Sequence, residues 1–90
     1  MTTIDEDAPR VRLFMKTIAP GQIRASVNGQ IEDGAGVTVF QPVHEMVASV
    51  EAALELAHGV ANAWAERDGF DGYRFSAELD GAPFSAPKSA

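Results

Sequence analysis

The sequence predicts an α+β domain of two layers, in the order β-β-β-α-β, with an antiparallel-rich sheet packed on one long helix over about residues 42–68. Three observations carry this. Apolar and polar residues alternate before residue 42. Apolar residues then recur in steps of three and four as far as Trp64, and alternation returns from Tyr73 to Leu79.

Residues 10–18 read as the first strand. Val11, Leu13 and Met15 share one face, opposed by Arg10, Arg12, Phe14 and Lys16. Pro20-Gly21 marks a turn. Residues 22–32 form the second strand, with Ile23, Ala25, Val27 and Ile31 on one side and Arg24, Ser26, Asn28 and Gln30 on the other. A turn at residues 33–36 leads to a third strand at 37–41, with Val37 and Val39 on one face. Asn28-Gly29 is also a strong hairpin dipeptide. A turn there would split the second strand and shift the register, and the sequence leaves both choices open.

Pro42 fits the first turn of a helix, where its missing N–H costs nothing. Val43, Val47, Val50, Leu54, Ala57, Ala61 and Trp64 then form one stripe. Asp68-Gly69 ends it, with Gly69 suited to a left-handed cap. Such a helix would be roughly 35–40 Å long. In the last strand, Tyr73, Phe75, Ala77 and Leu79 alternate with Arg74, Ser76 and Glu78. Tyr73 and Phe75 are expected to join Leu13, Ile23, Val27, Leu54 and Trp64 in the core. Residues 1–9 are expected to be a mobile acidic tail, residues 10–80 the domain, and residues 81–90 a mobile C-terminal tail.

Ninety residues make one domain. The apolar fraction of 46% is that of a folded chain, which sets disorder aside. A chain this short buries only about 60–65% of its unfolded surface, so a homodimer that completes the core is among the arrangements it admits. The chain has no cysteine, so neither disulfides nor thiolate metal sites reinforce that core. No apolar run of about 18 residues is present, so no spanning helix and no membrane partner are expected, and the expected location is cytoplasmic. The net charge of −6 opposes direct nucleic-acid binding, which needs a basic footprint.

Catalytic motifs are weak. His44-Glu45 opens like the zinc-protease HExxH helix, but Ala48 stands where the second histidine belongs. Glu55 and His58 have the Glu-x-x-His spacing of carboxylate-bridged metal sites, which need two such pairs and two further carboxylates. No nucleophile elbow and no phosphate loop occur. The chain is therefore read as non-enzymatic, with no cofactor and no metal ligands.

Charge layout carries more. Arg10, Arg12, Lys16, Arg24 and Arg74, five of the seven basic residues, fall on outward strand positions, with Phe14 among them. A small protein-binding module, inhibitor or accessory subunit would use Arg12, Phe14, Lys16, Arg24 and Arg74 on its outer sheet face to hold a protein partner. Two alternatives use other surfaces. A phage-type anti-defence inhibitor that mimics nucleic acid would use the acidic tail and the helix carboxylates Glu51, Glu55 and Glu66. A metal-dependent enzyme subunit would need Glu55 and His58 at a dimer interface.

Overall fold

The computed structural model describes residues 8–33, 36–70 and 72–84. It is an α+β domain in which a mixed six-stranded sheet packs against one helix. The strands are β1 (Arg10–Ala19), β2 (Gln22–Asp33), β3 (Gly36–Val39), β4 (Val43–Val47), β5 (Arg74–Leu79) and β6 (Ala82–Phe84), and the helix is α1 (Val50–Arg67). The sheet order is β3-β2-β1-β5-β6, with β4 also paired to β2. All pairs are antiparallel except β1 with β5.

The β1–β2 hairpin sets the frame. Leu13 lies opposite Val27 and Met15 opposite Ala25, so the two alternating patterns bury one common face. Asn28 and Gly29 lie within β2, opposite Arg12 and Val11, so the chain makes no hairpin there. Packing explains this glycine. A Cβ on Gly29 would fall 2.6 Å from Cε3 of Trp64, with Cζ3 closer still and the Phe40 ring at 3.1 Å. Trp64 therefore lies against bare strand backbone. Its ring stacks on Phe40, centroids 4.8 Å apart and 7° from parallel, and the Arg67 guanidinium covers Phe40 at 5.2 Å.

The helix begins at Val50, eight residues beyond Pro42, and the expected first two turns are strand β4. A four-residue step keeps two side chains on one face of either a helix or a strand. Val43 and Val47 satisfy both readings; in the fold they lie opposite Val27 and Ile23 on the inner sheet face. The true start is Ser49, whose hydroxyl accepts from the Ala52 N–H at 3.1 Å, while Glu51 sits in the positive first turn. Eighteen residues give a helix of about 27 Å, matched to the sheet without the overhang that a longer helix would bring. Its buried side chains are Ala53, Ala57, Ala61, Trp64 and Ala65. Alanine at four-residue intervals lets the helix axis approach the sheet closely. Gly69, at φ +79°, closes the helix as expected, its N–H bonding the Glu66 carbonyl at 3.2 Å.

Leu13, Ile23, Val27 and Trp64 are buried; Leu54, Tyr73 and Phe75 are half-buried at the rim of the core. Each expected tail includes ordered residues where it adjoins the domain. Ala8 and Pro9 are buried, and the Pro9 carbonyl accepts from the Arg74 N–H at 2.7 Å. Ala82–Phe84 is strand β6, with Phe84 opposite Ala77. The remainder of those tails, residues 1–7 and 85–90, lies outside the described residues.

Asp80 and Gly81 join β5 to β6 as a two-residue turn, both at positive φ, 51° and 86°. The Asp80 carboxylate accepts from the Thr17 N–H at 2.8 Å and from the Thr17 hydroxyl at 2.9 Å. These two bonds, assisted by nearby Lys16, hold its pKa below the usual carboxylate range. A depressed folded pKa contributes stability that is complete above the unfolded value, about 3.9. It is lost as pH falls through the lower folded value. Asp80→Asn keeps a residue that tolerates the left-handed turn and removes the charge. Its melting temperature should depend less on pH than that of the wild type on the acid side of pH 4; superimposable acid profiles would rule out the Thr17 bonds as the cause.

Candidate functional site: the outer sheet face

Helix α1 covers one face of the sheet, against β1, β2 and β4, and the other face is uncovered among the described residues. The ladder pairings arrange that outer face as rows across the strands. The first row runs Arg74, Arg10, Gln30, Val39. Next come Ser76, Arg12 and Asn28, then Glu78, Phe14, Ser26 and His44, then Lys16, Arg24 and Met46. Glu32 and Val37 lie beyond the first row on β2 and β3.

The expected residues Arg12, Phe14, Lys16 and Arg24 are thus neighbours on one surface. Arg74 shares the face but is half-buried, and its guanidinium donates to the Ala8 carbonyl at 3.3 Å. That bond ties the chain entering β1 to β5. Arg10, also half-buried, stands beside it at the start of β1. The β2 and β4 pairings add Ser26, His44 and Met46, and β3 adds Val39. The sequence places His44 and Met46 on the helix, and Val-His-Glu-Met-Val over residues 43–47 does not alternate cleanly, so only the pairing of β4 with β2 puts them on this face.

The strand rows of this face hold five cations and two carboxylates, Glu32 and Glu78, a sum of +3 on a chain of net charge −6, with Asp80 at the margin near Lys16. Two like-charged pairs stand directly opposite each other across strands, Lys16 with Arg24 and Arg10 with Arg74. For Lys16 and Arg24, on antiparallel strands, that placement costs stability. The ion pair found among the described residues, Arg67 with Asp68 at 3.9 Å, is elsewhere and exposed. Arg10, Arg12 and Arg24 have no carboxylate within ion-pair distance among the described residues.

Apolar side chains accompany the charges. Val39 is 68% exposed, Val37 54% and Met46 52%, and Phe14 is half-buried as a ridge between two shallow grooves. One groove, about 220 Å³, lies over Arg10, Arg12, Phe14, Asn28, Gln30 and Val39. The other, about 370 Å³, lies over Arg12, Phe14, Ser76, Glu78 and Pro83. The Ser26 hydroxyl and His44 Nδ1 are 2.9 Å apart on this open surface.

The residues of the two alternatives lie elsewhere. Glu51, Glu55 and Glu66 are all exposed on α1. At 100° per residue they fall within about 60° of one another around the axis, spread over about 22 Å. His58 turns away from Glu55 toward the core rim. Its Nδ1 is 2.5 Å from the Tyr73 hydroxyl and its ring stacks on Phe75 at 4.3 Å. Burial raises the Tyr73 pKa. Among the described residues no group of three or more His, Asp or Glu side chains is placed to hold a metal ion. No helix among them is long and apolar enough to cross a membrane.

No protein-family model, no curated protein and no solved structure matches the chain.

Proposed function

We propose that this chain is a small non-enzymatic protein-binding module, an inhibitor or accessory subunit, that acts through its outer sheet face. The observation that carries the reading is the segregation of charge. Arg10, Arg12 and Arg24, with no carboxylate in ion-pair distance among the described residues, and Lys16, directly opposite Arg24, collect around exposed apolar side chains on the face that α1 leaves bare. Five strands about 4.8 Å apart and rows spanning about 20 Å give a surface on the order of 500 Å², the scale of one side of a small, transient protein interface. Its shallow grooves suit a macromolecule rather than an enclosed small molecule.

The reading in which the acidic helix mimics nucleic acid has a looser physical basis. Three carboxylates over about 22 Å are sparse beside duplex DNA, which carries one charge per about 1.7 Å of axis. The two faces separate by crosslinking. A photoreactive phenylalanine at position 14 should crosslink a partner protein in the native cell, and the same group at position 55 should not. Adducts from position 55 alone would transfer the function to the helix.

A further inference from the structure

The outer face is not uniformly basic, and its acidic residues define a path. Glu78 stands beside Phe14 on the β5 side, Asp80 lies near Lys16 beyond it, and Glu32 lies past Gln30 at the β3 end. Between them, the line where β1 meets β2 carries Arg10 with Gln30, Arg12 with Asn28, Phe14 with Ser26, and Lys16 with Arg24. That line holds four cations, three neutral hydrogen-bonding side chains and one aromatic ring, with no carboxylate. The smaller groove follows its upper half.

Spacing narrows the class of ligand. Outward side chains on a strand repeat every two residues, about 6.8 Å apart. An extended peptide laid along β1 repeats its own alternate side chains at the same interval. Four rows cover about 20 Å, which is seven residues of extended chain. Cations on three of four successive rows suit a row of separate carboxylates better than one concentrated anion. A nucleic-acid strand would also present spaced charges, but it would meet the field of a chain with net charge −6.

We propose, resting on the reading of the outer face as the binding surface, that the β1–β2 line takes an extended acidic segment of a partner protein. The segment places carboxylates at alternate positions against Arg10, Arg12 and the Lys16–Arg24 pair, and one apolar side chain against Phe14. Binding of those carboxylates relieves the Lys16–Arg24 repulsion, which the free protein leaves uncompensated on the Arg24 side. Ser26 and His44 supply hydrogen bonding beside the apolar contact, whichever ring nitrogen of His44 carries the proton.

The test is an amide-resolved NMR titration of the ¹⁵N-labelled full chain with three probes. The first is the peptide Glu-Ser-Glu-Ser-Leu-Ser-Glu, the second its isomer Glu-Glu-Glu-Ser-Ser-Ser-Leu, and the third heptathymidylate. The alternating peptide should shift amides from Arg10 to Lys16 and from Arg24 to Gln30 in a saturable way. It should bind at least about fivefold more tightly than its isomer, and Arg12→Glu should remove that preference. Equal binding of the isomer, or tighter binding of heptathymidylate, overturns the proposed segment while shifts confined to this face leave the binding surface standing. Shifts on α1 instead, or no saturable shift at millimolar peptide, overturn both.

Discussion

Trp64→Ala is expected to remove about 3–5 kcal/mol of stability, the usual range for deleting a buried aromatic side chain. Domains of this kind have roughly 5–15 kcal/mol in all, so the variant should lie near the edge of folding at 37 °C. The reason is the number of elements that meet on this ring. It lies on the β2 backbone at Gly29, stacks on Phe40 after β3, and is fixed at its other end in the last turn of α1. Phe40 is held in turn by its N–H bond to the Gly29 carbonyl at 2.9 Å. Removing the indole takes away the contact that joins the end of the helix to the sheet. Urea denaturation followed by far-UV circular dichroism measures the loss; a change below about 1 kcal/mol would show that the indole is dispensable.

Gly29→Ala is expected to cost about 2–3 kcal/mol, near the top of the range for overpacking a core. A single methyl group is added, yet it has nowhere to go. The indole cannot slide away without moving Phe40, and Phe40 lies under the Arg67 guanidinium. The cost should depend on Trp64. In a Trp64→Ala background, where the cavity accepts the methyl group, Gly29→Ala should cost less than about 0.5 kcal/mol. Additive costs in the two backgrounds would mean that glycine is required for its backbone freedom, as in a hairpin turn, and not for the close approach of the ring.

Gly29 also shows where the sequence misleads. Asn-Gly is a strong hairpin dipeptide because turns need positive φ. The same glycine serves equally where a large ring must touch backbone, and the dipeptide does not say which applies. The partner that decides, Trp64, is 35 positions away in the chain. The helix start went astray for a related reason: Val43 and Val47 satisfy both periodicities, and Pro42 is tolerated before a strand as well as in a helix. The local signal at Ser49, a capping residue followed by Glu51, was the better guide. Alternation in β1 and β2 marks the face that is buried, but the Asn28-Gly29 dipeptide leaves the register of β2 open until the pairing with β1 is seen.

Site residues follow the same division. Arg12, Phe14, Lys16 and Arg24 could be placed on one face from alternation alone, since their strands pair directly. Arg74 was placed on the correct face, but its contact with Ala8 depends on how the chain enters β1, which periodicity does not describe. Ser26 was assigned outward without its cross-strand partner, because His44 was counted in the helix. Val39 joins the face through the β2–β3 hairpin, and Met46 through the pairing of β4 with β2, which spans 22 residues from Arg24 to Met46. Strands with clean alternation could therefore be read from the sequence; β4, β6 and the pairings that bring distant strands together could not.

The claim that the outer sheet face carries the function is tested most directly by comparing three baits in affinity capture from the native cell, with bound proteins quantified by mass spectrometry. The baits are the wild type, the sheet-face variant Arg12→Glu/Arg24→Glu, and the helix-face variant Glu51→Lys/Glu55→Lys/Glu66→Lys, each first shown to melt like the wild type. A protein enriched by the wild type should be lost, by at least about tenfold, or 1.4 kcal/mol, from the sheet-face variant and retained by the helix-face variant. Retention by the sheet-face variant, or loss from the helix-face variant alone, would contradict the claim.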